Sequence, residues 1–243
     1  MMRQQDEVYA KLAAVYDPEL DEPVTDMGFI EGVRIDGPEV TVYFRLPTYW
    51  CSPNFAFIMA EDIRNRIMEL PWVNDVRIQL KDHCASDEIN EGVSKGKSFF
   101  ESFPSMSNGG LDEIRHTFRV KTYKSRQERI LRHFIQSGLS HTAILNLTVA
   151  ELSNYPGLEQ DTHSLIEGYF AVRSEFGHTL KPGDTAFVRY DGQLIQPEDF
   201  SNYLLEIRRT RMSMEFNSNY CRGLLQTRYG EPGKENETEV IKQ

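Results

Sequence analysis

Residues 29–53, FIEGVRIDGPEVTVYFRLPTYWCSP, decide how the first half of this 243-residue chain is read. Phe29 to Ile35 has the pattern of a strand and Asp36-Gly37-Pro38 that of a turn. Val40, Val42, Phe44 and Leu46 then alternate with Thr41, Tyr43 and Arg45 as a second strand. The pair predicts a β-hairpin. Behind it, Ser52 stands where an N-cap belongs and Pro53 where a first helical residue belongs. Ala56, Met59, Ala60, Ile63, Ile67 and Leu70 continue as one apolar stripe, predicting a helix to about Leu70. Cys51 lies at the junction of strand and helix.

Upstream, Val8, Leu12 and Val15 recur at helical spacing over residues 6–16, and Pro18 disfavours helical geometry at Asp17. Downstream of Pro71, Val76, Ile78 and Leu80 alternate with Arg77 and Gln79 as a third strand. The order α-β-β-α-β over residues 1–103 predicts a small domain and, joined to a helical second half, the α+β class. Pro104 to Gly110 (PSMSNGG) reads as a linker. Residues 111–229 read as a mainly helical domain suited to recognising a protein partner. Its helices are expected around Ser125–Ser137 and Thr162–Phe176 and from Pro197 towards Tyr229, with a turn at Asp191-Gly192 flanked by Phe187 and Leu194. The tail 230–243 (GEPGKENETEVIKQ) has little to bury and reads as disordered.

The composition excludes several classes. No apolar run approaches the ~20 residues of a membrane span, and the N-terminus lacks the apolar stretch of a secretory signal, so no membrane role and a cytoplasmic location are expected. Three cysteines, at 51, 84 and 221, are too few and too scattered for a disulfide framework and are expected as thiols. The net charge is −10; residues 1–103 hold 10 Lys and Arg against 19 Asp and Glu, the remainder 17 against 18. The acidic half lacks the basic surplus that displaces phosphate counterions, so nucleic acid is not an expected partner. Arg115 to Arg132 is the most basic stretch, but Glu128 within it and the acidic first domain argue against nucleic acid, and an acidic protein would serve as well.

Topology gathers the chemistry. A strand-helix-parallel strand crossover is right-handed and leaves the ends of strands two and three on one sheet edge. The antiparallel first strand begins there too. Ligands of open α/β sheets favour that edge. The predicted cluster is Asp17, Glu19, Asp26, Cys51, Asp82, His83 and Cys84. Cys51 precedes a helix N-terminus, where unpaired N–H groups favour a thiolate, and Cys51, His83 and Cys84 together offer sulfur and nitrogen donors suited to iron or zinc. The same residues also fit blander roles: packed thiols, a loop histidine and solvated carboxylates. They also fit an enzyme with Cys51 as nucleophile and His83 as its base.

Asp17-Pro18-Glu19-Leu20 after a first helix, Asp26-Met27-Gly28 opening a strand, the hairpin, and Cys51 between strand and helix resemble the iron–sulfur assembly family that includes SufT and PaaD, over about residues 5–82. Members carry a threonine shortly before the cysteine and a proline directly after it, whereas this chain has Leu46-Pro47-Thr48-Tyr49-Trp50-Cys51-Ser52-Pro53. The resemblance implies a factor that matures metalloproteins by protein contact, with no turnover of a small substrate. It implies Cys51 as the functional residue with Asp17, Glu19 and Asp26 beside it, and iron or an iron–sulfur cluster as transient cargo. The C-terminal helix, with Arg208, Arg209, Arg211, Glu215, Asn217, Cys221, Arg222 and Arg228, is similar to that of longer members encoded beside soluble diiron monooxygenases. That likeness implies a diiron hydroxylase subunit as client. Cys221, beside Tyr220, Leu224 and Leu225, reads as a packed helix residue.

Overall fold

In the computed structural model, which describes residues 2–105, 111–156 and 160–230, the chain opens with α1 (Met2–Leu12). The helix ends before Val15, although Val15 keeps its helical spacing. A small hairpin of β1 (Tyr16–Asp17) and β2 (Glu22–Pro23) takes it instead, with the Val24 N–H donating to the Val15 carbonyl at 2.9 Å. Asp17 Oδ1 closes the intervening turn, accepting from the N–H groups of Glu19 at 2.8 Å and Leu20 at 3.0 Å.

β3 (Ile30–Asp36) and β4 (Glu39–Arg45) then pair antiparallel around a two-residue turn, whose first residue, Gly37, supplies the positive φ of 57° that such a turn demands. α2 (Pro53–Met68) crosses over, and β5 (Asp75–Lys81) returns parallel to β4, in register from Glu39↔Asp75 to Arg45↔Lys81. The sheet order is β3-β4-β5. Val40, Val42 and Phe44 of β4 and Val76, Ile78 and Leu80 of β5 form one core with Ala60, Ile63 and Ile67 of α2 and Val8 and Leu12 of α1. The α-β-β-α-β order is as expected, with the small hairpin inserted.

Two helices come next that no long apolar period announces, α3 (Ser86–Ser94) and α4 (Phe99–Ser102). α3 closes the free side of β5 with side chains. Asn90 accepts from the Leu80 N–H at 2.7 Å and donates to the Leu80 carbonyl at 3.1 Å, and Ser94 Oγ accepts from the Ile78 N–H at 3.2 Å. An edge that would otherwise offer unpaired backbone groups is satisfied from within the chain.

The rest is helical, as expected: α5 (Leu111–Gln136), α6 (His141–Leu145), α7 (Val149–Ser153), α8 (Gln160–Glu175) and α9 (Phe200–Tyr229). The chain forms two compact units, residues 1–111 with 216–243, and residues 112–215. The division expected from sequence kept 111–229 together; the structure instead divides α9, because Leu225 of its C-terminal half is buried in the sheet domain's core and Cys221 and Tyr229 pack against it. Residues 106–110 of the predicted linker 104–110 and residues 231–243 of the predicted tail 230–243 lie outside the described residues.

The second unit has its own core, including Tyr123, Ile130, Leu131, Phe134, Tyr169, Phe187, Phe200 and Ile207. Inside it, the Tyr123 hydroxyl donates to the Val188 carbonyl at 2.9 Å, Gln127 Nε2 to the same carbonyl at 2.8 Å, and Arg173 Nη1 to the carbonyls of Thr185 and Ala186 at 2.8 and 2.7 Å. The basic stretch of α5 is engaged with acids: Arg119 pairs with Glu175, Lys124 with Glu206, and buried Glu128 takes Arg211.

Candidate functional site

The parallel register brings Arg45 and Lys81 level at the carboxyl ends of β4 and β5. The two loops that leave them are tied to each other. The Cys84 N–H donates to the Tyr49 carbonyl at 2.9 Å, and His83 Nε2 donates to the Cys51 carbonyl at 2.8 Å. His83 Nδ1 in turn accepts from the Ala85 N–H at 3.1 Å, which places the ring proton on Nε2. Burial holds this imidazole below its ordinary pKa, the nearby Arg228 charge adding to that effect and the bond to the Cys51 carbonyl opposing it.

Cys51 is half-buried ahead of Pro53, the first residue of α2, and Thr48 Oγ1 lies 3.3 Å from its Sγ. Ser52 occupies the N-cap position without a side-chain cap hydrogen bond, so it does not neutralise the helix's amino end as its residue type suggested. Trp50, 77% exposed, and Tyr49, 41% exposed, meet edge to face directly before the cysteine.

Cys51 and Cys221 of α9 pack, partly buried, against the same core cluster, and the charges of Asp17, Cys51 and Glu19 all act on the Cys221 thiol. Burial, followed by the charges of these three, pushes the Cys221 thiol up to about 11. Burial likewise pushes Asp17 up to about 6, against the two N–H groups that bond it and with help from the charges of Glu19 and Glu22. The Asp26 carboxylate accepts from Thr25 Oγ1 at 3.1 Å, while its backbone carbonyl accepts from Arg222.

Cys51, His83 and Cys84 come together as loops but do not form the expected metal site. Both ring nitrogens of His83 are engaged by backbone, Cys84 is exposed, and among the described residues no group of three or more His, Cys, Asp or Glu side chains could hold a metal ion. The reason is the turn at Asp82, whose φ of 54° swings the chain so that His83 points under the Cys51 loop. His83 holds the loop in place. A resident metal on Cys51, His83 and Cys84 does not fit.

The residue pattern foresaw α9 and singled out Asn217, Cys221, Arg222 and Arg228, but not that its C-terminal half packs on the sheet domain. Ser218 donates to Glu22 at 2.5 Å, Arg222 pairs with Glu22 and donates to the Asp26 carbonyl, and Asn217 Nδ2 reaches Glu19 at 3.4 Å. Farther on, Arg228 pairs with Asp82 at 2.5 Å, the Tyr229 hydroxyl donates to the same carboxylate at 2.8 Å, and the Arg45 guanidinium lies 4.1 Å from the Tyr229 ring centroid. The signal was present: Ser218, Cys221, Arg222, Leu225, Arg228 and Tyr229 recur at three- and four-residue steps on one helix face. Burying Leu225 contributes about 1.5–3 kcal/mol, and each partly exposed ion pair about 0–1 kcal/mol. The apolar term is therefore the larger, with the ion pairs adding a smaller share.

The geometry defines a small α/β domain with a half-buried thiol, Cys51, on a loop at the carboxyl edge of its sheet. Residues 5–80 match the family model described as iron-sulfur cluster assembly protein. The match covers the sheet domain through β5, about a third of the chain, and supports the broad family for that part and an assembly or maturation role in general. No curated protein matches the chain. No helix among the described residues is long and apolar enough to cross a membrane.

Proposed function

We propose that this chain is a cytoplasmic maturation factor for a metalloprotein, acting by protein contact through Cys51 rather than by turnover of a small substrate. The observation that carries the reading is the placement of Cys51, at a helix amino end and beside exposed Trp50, in the segment that matches the assembly family. The client we propose is a subunit of a soluble diiron hydroxylase, on the likeness of the C-terminal helix to longer members encoded beside such enzymes. Iron or an iron–sulfur cluster is cargo in this reading. The bonding of His83 to the Cys51 carbonyl rather than to its thiol weighs against a nucleophile and base pair and favours contact over catalysis.

Cys51→Ser tests it. Client activity, measured after co-expression of the hydroxylase subunits with either form, is expected to fall to the level without the factor, while circular dichroism and the urea midpoint stay as in the parent. Full client activity in a folded Cys51→Ser protein would refute the role of the thiol.

A further inference from the structure

The C-terminal half of α9 meets the sheet domain through an unusual set of partners. Arg222 and Arg228 both pair with acidic side chains of the sheet domain, Glu22 and Asp82, and both also donate to backbone carbonyls there, of Asp26 and Asp82. Between them Leu225 is buried, Cys221 packs partly buried against the same core as Cys51, and Asn217 Nδ2 reaches Glu19 at 3.4 Å. Phe216 and Tyr220 leave their stacked rings in water. The underlying surface is thus an apolar seat bracketed by carboxylates and shaped to a helix.

We propose that the Cys51 edge is a helix-docking surface that the chain occupies with its own residues 216–229, and that Cys51 becomes available when an arginine-bearing helix of the client takes this segment's place. Charge complementarity selects that partner: residues 1–103 carry 19 acidic against 10 basic side chains, and the occupant already present answers them with two arginines around a leucine. The ion pairs are partly exposed, so solvent and salt compete with them. The docking proposal rests on the reading of Cys51 as the functional group. Its test needs no client, so its failure leaves the Cys51→Ser experiment standing.

The full chain is labelled with iodoacetamide at neutral pH and the rate at each cysteine is read by peptide mass spectrometry. Exposed Cys84 is the internal reference. Arg222→Ala with Arg228→Ala is expected to raise the rates at Cys51 and Cys221 by about tenfold over the parent. In the unmodified chain, raising NaCl from about 50 mM to about 500 mM is expected to raise both by about threefold with Cys84 unchanged, an arm that stands even where the double variant fails to fold. A synthetic peptide of residues 216–229 with Cys221→Ser is expected to return Cys51 of the double variant towards the parent rate, and the same peptide lacking both arginines is not. Unchanged Cys51 rates in the salt arm, acceleration at Cys221 alone, or equal protection by the two peptides would overturn the proposal.

Discussion

Asp17 shows how a residue singled out for its chemistry serves architecture. Its carboxylate is buried and closes the β1–β2 turn, and burial moves its pKa from 3.8 to about 6. Because the folded state binds this proton more tightly than the unfolded chain, stability is greatest where the group is protonated and is lost as pH rises through about 6. The rise corresponds to about 3 kcal/mol at neutral pH. Asp17→Asn keeps the acceptor and removes the charge. Urea unfolding is expected to show the two proteins alike near pH 4 and the variant more stable by up to about 3 kcal/mol at pH 7.5. A difference that does not change with pH would mean that the carboxylate is not ionised at a cost in the fold. His83 repeats the lesson. Its residue type suggested a ligand or base, and its two ring nitrogens are instead occupied by the Cys51 carbonyl and the Ala85 N–H.

At the scale of elements, the periodic segments were legible. The hairpin, the crossover helix and the third strand lie within a residue or two of where alternation and the helical stripe placed them, since burial of one face leaves a strong period in the side chains. The small hairpin and α3 were not, because what forms them is hydrogen bonding: an Asx turn at Asp17 and an asparagine that reads a strand edge. Asn90 therefore carries a sharp expectation. Asn90→Ala leaves the N–H and carbonyl of Leu80 without their partner, at a cost of about 1–3 kcal/mol in urea unfolding. A loss under about 0.5 kcal/mol would mean that water replaces the asparagine.

At the scale of the molecule, each compact unit has its own aromatic and aliphatic core and is sized to fold cooperatively. Differential scanning calorimetry is expected to resolve two transitions. Phe134→Ala, which empties a fully buried position in the second unit at a cost of about 3–5 kcal/mol, is expected to lower one of them and leave the other in place. A single transition that moves as a whole would contradict independent cores.

Residue pattern by itself determined the sheet domain, its strand order, the helical nature of the second half and the position of Cys51 at a strand-to-helix junction. These depend on local periodicity and on the handedness of a crossover, both of which are written in neighbouring side chains. Only the tertiary structure decided that His83 anchors a loop instead of ligating, that Cys51, His83 and Cys84 form no three-ligand site, and that residues 216–229 belong with a surface nearly two hundred positions earlier in the chain. Those outcomes turn on where a ring nitrogen or a guanidinium points once distant segments are packed, and spacing along a chain carries no record of that direction.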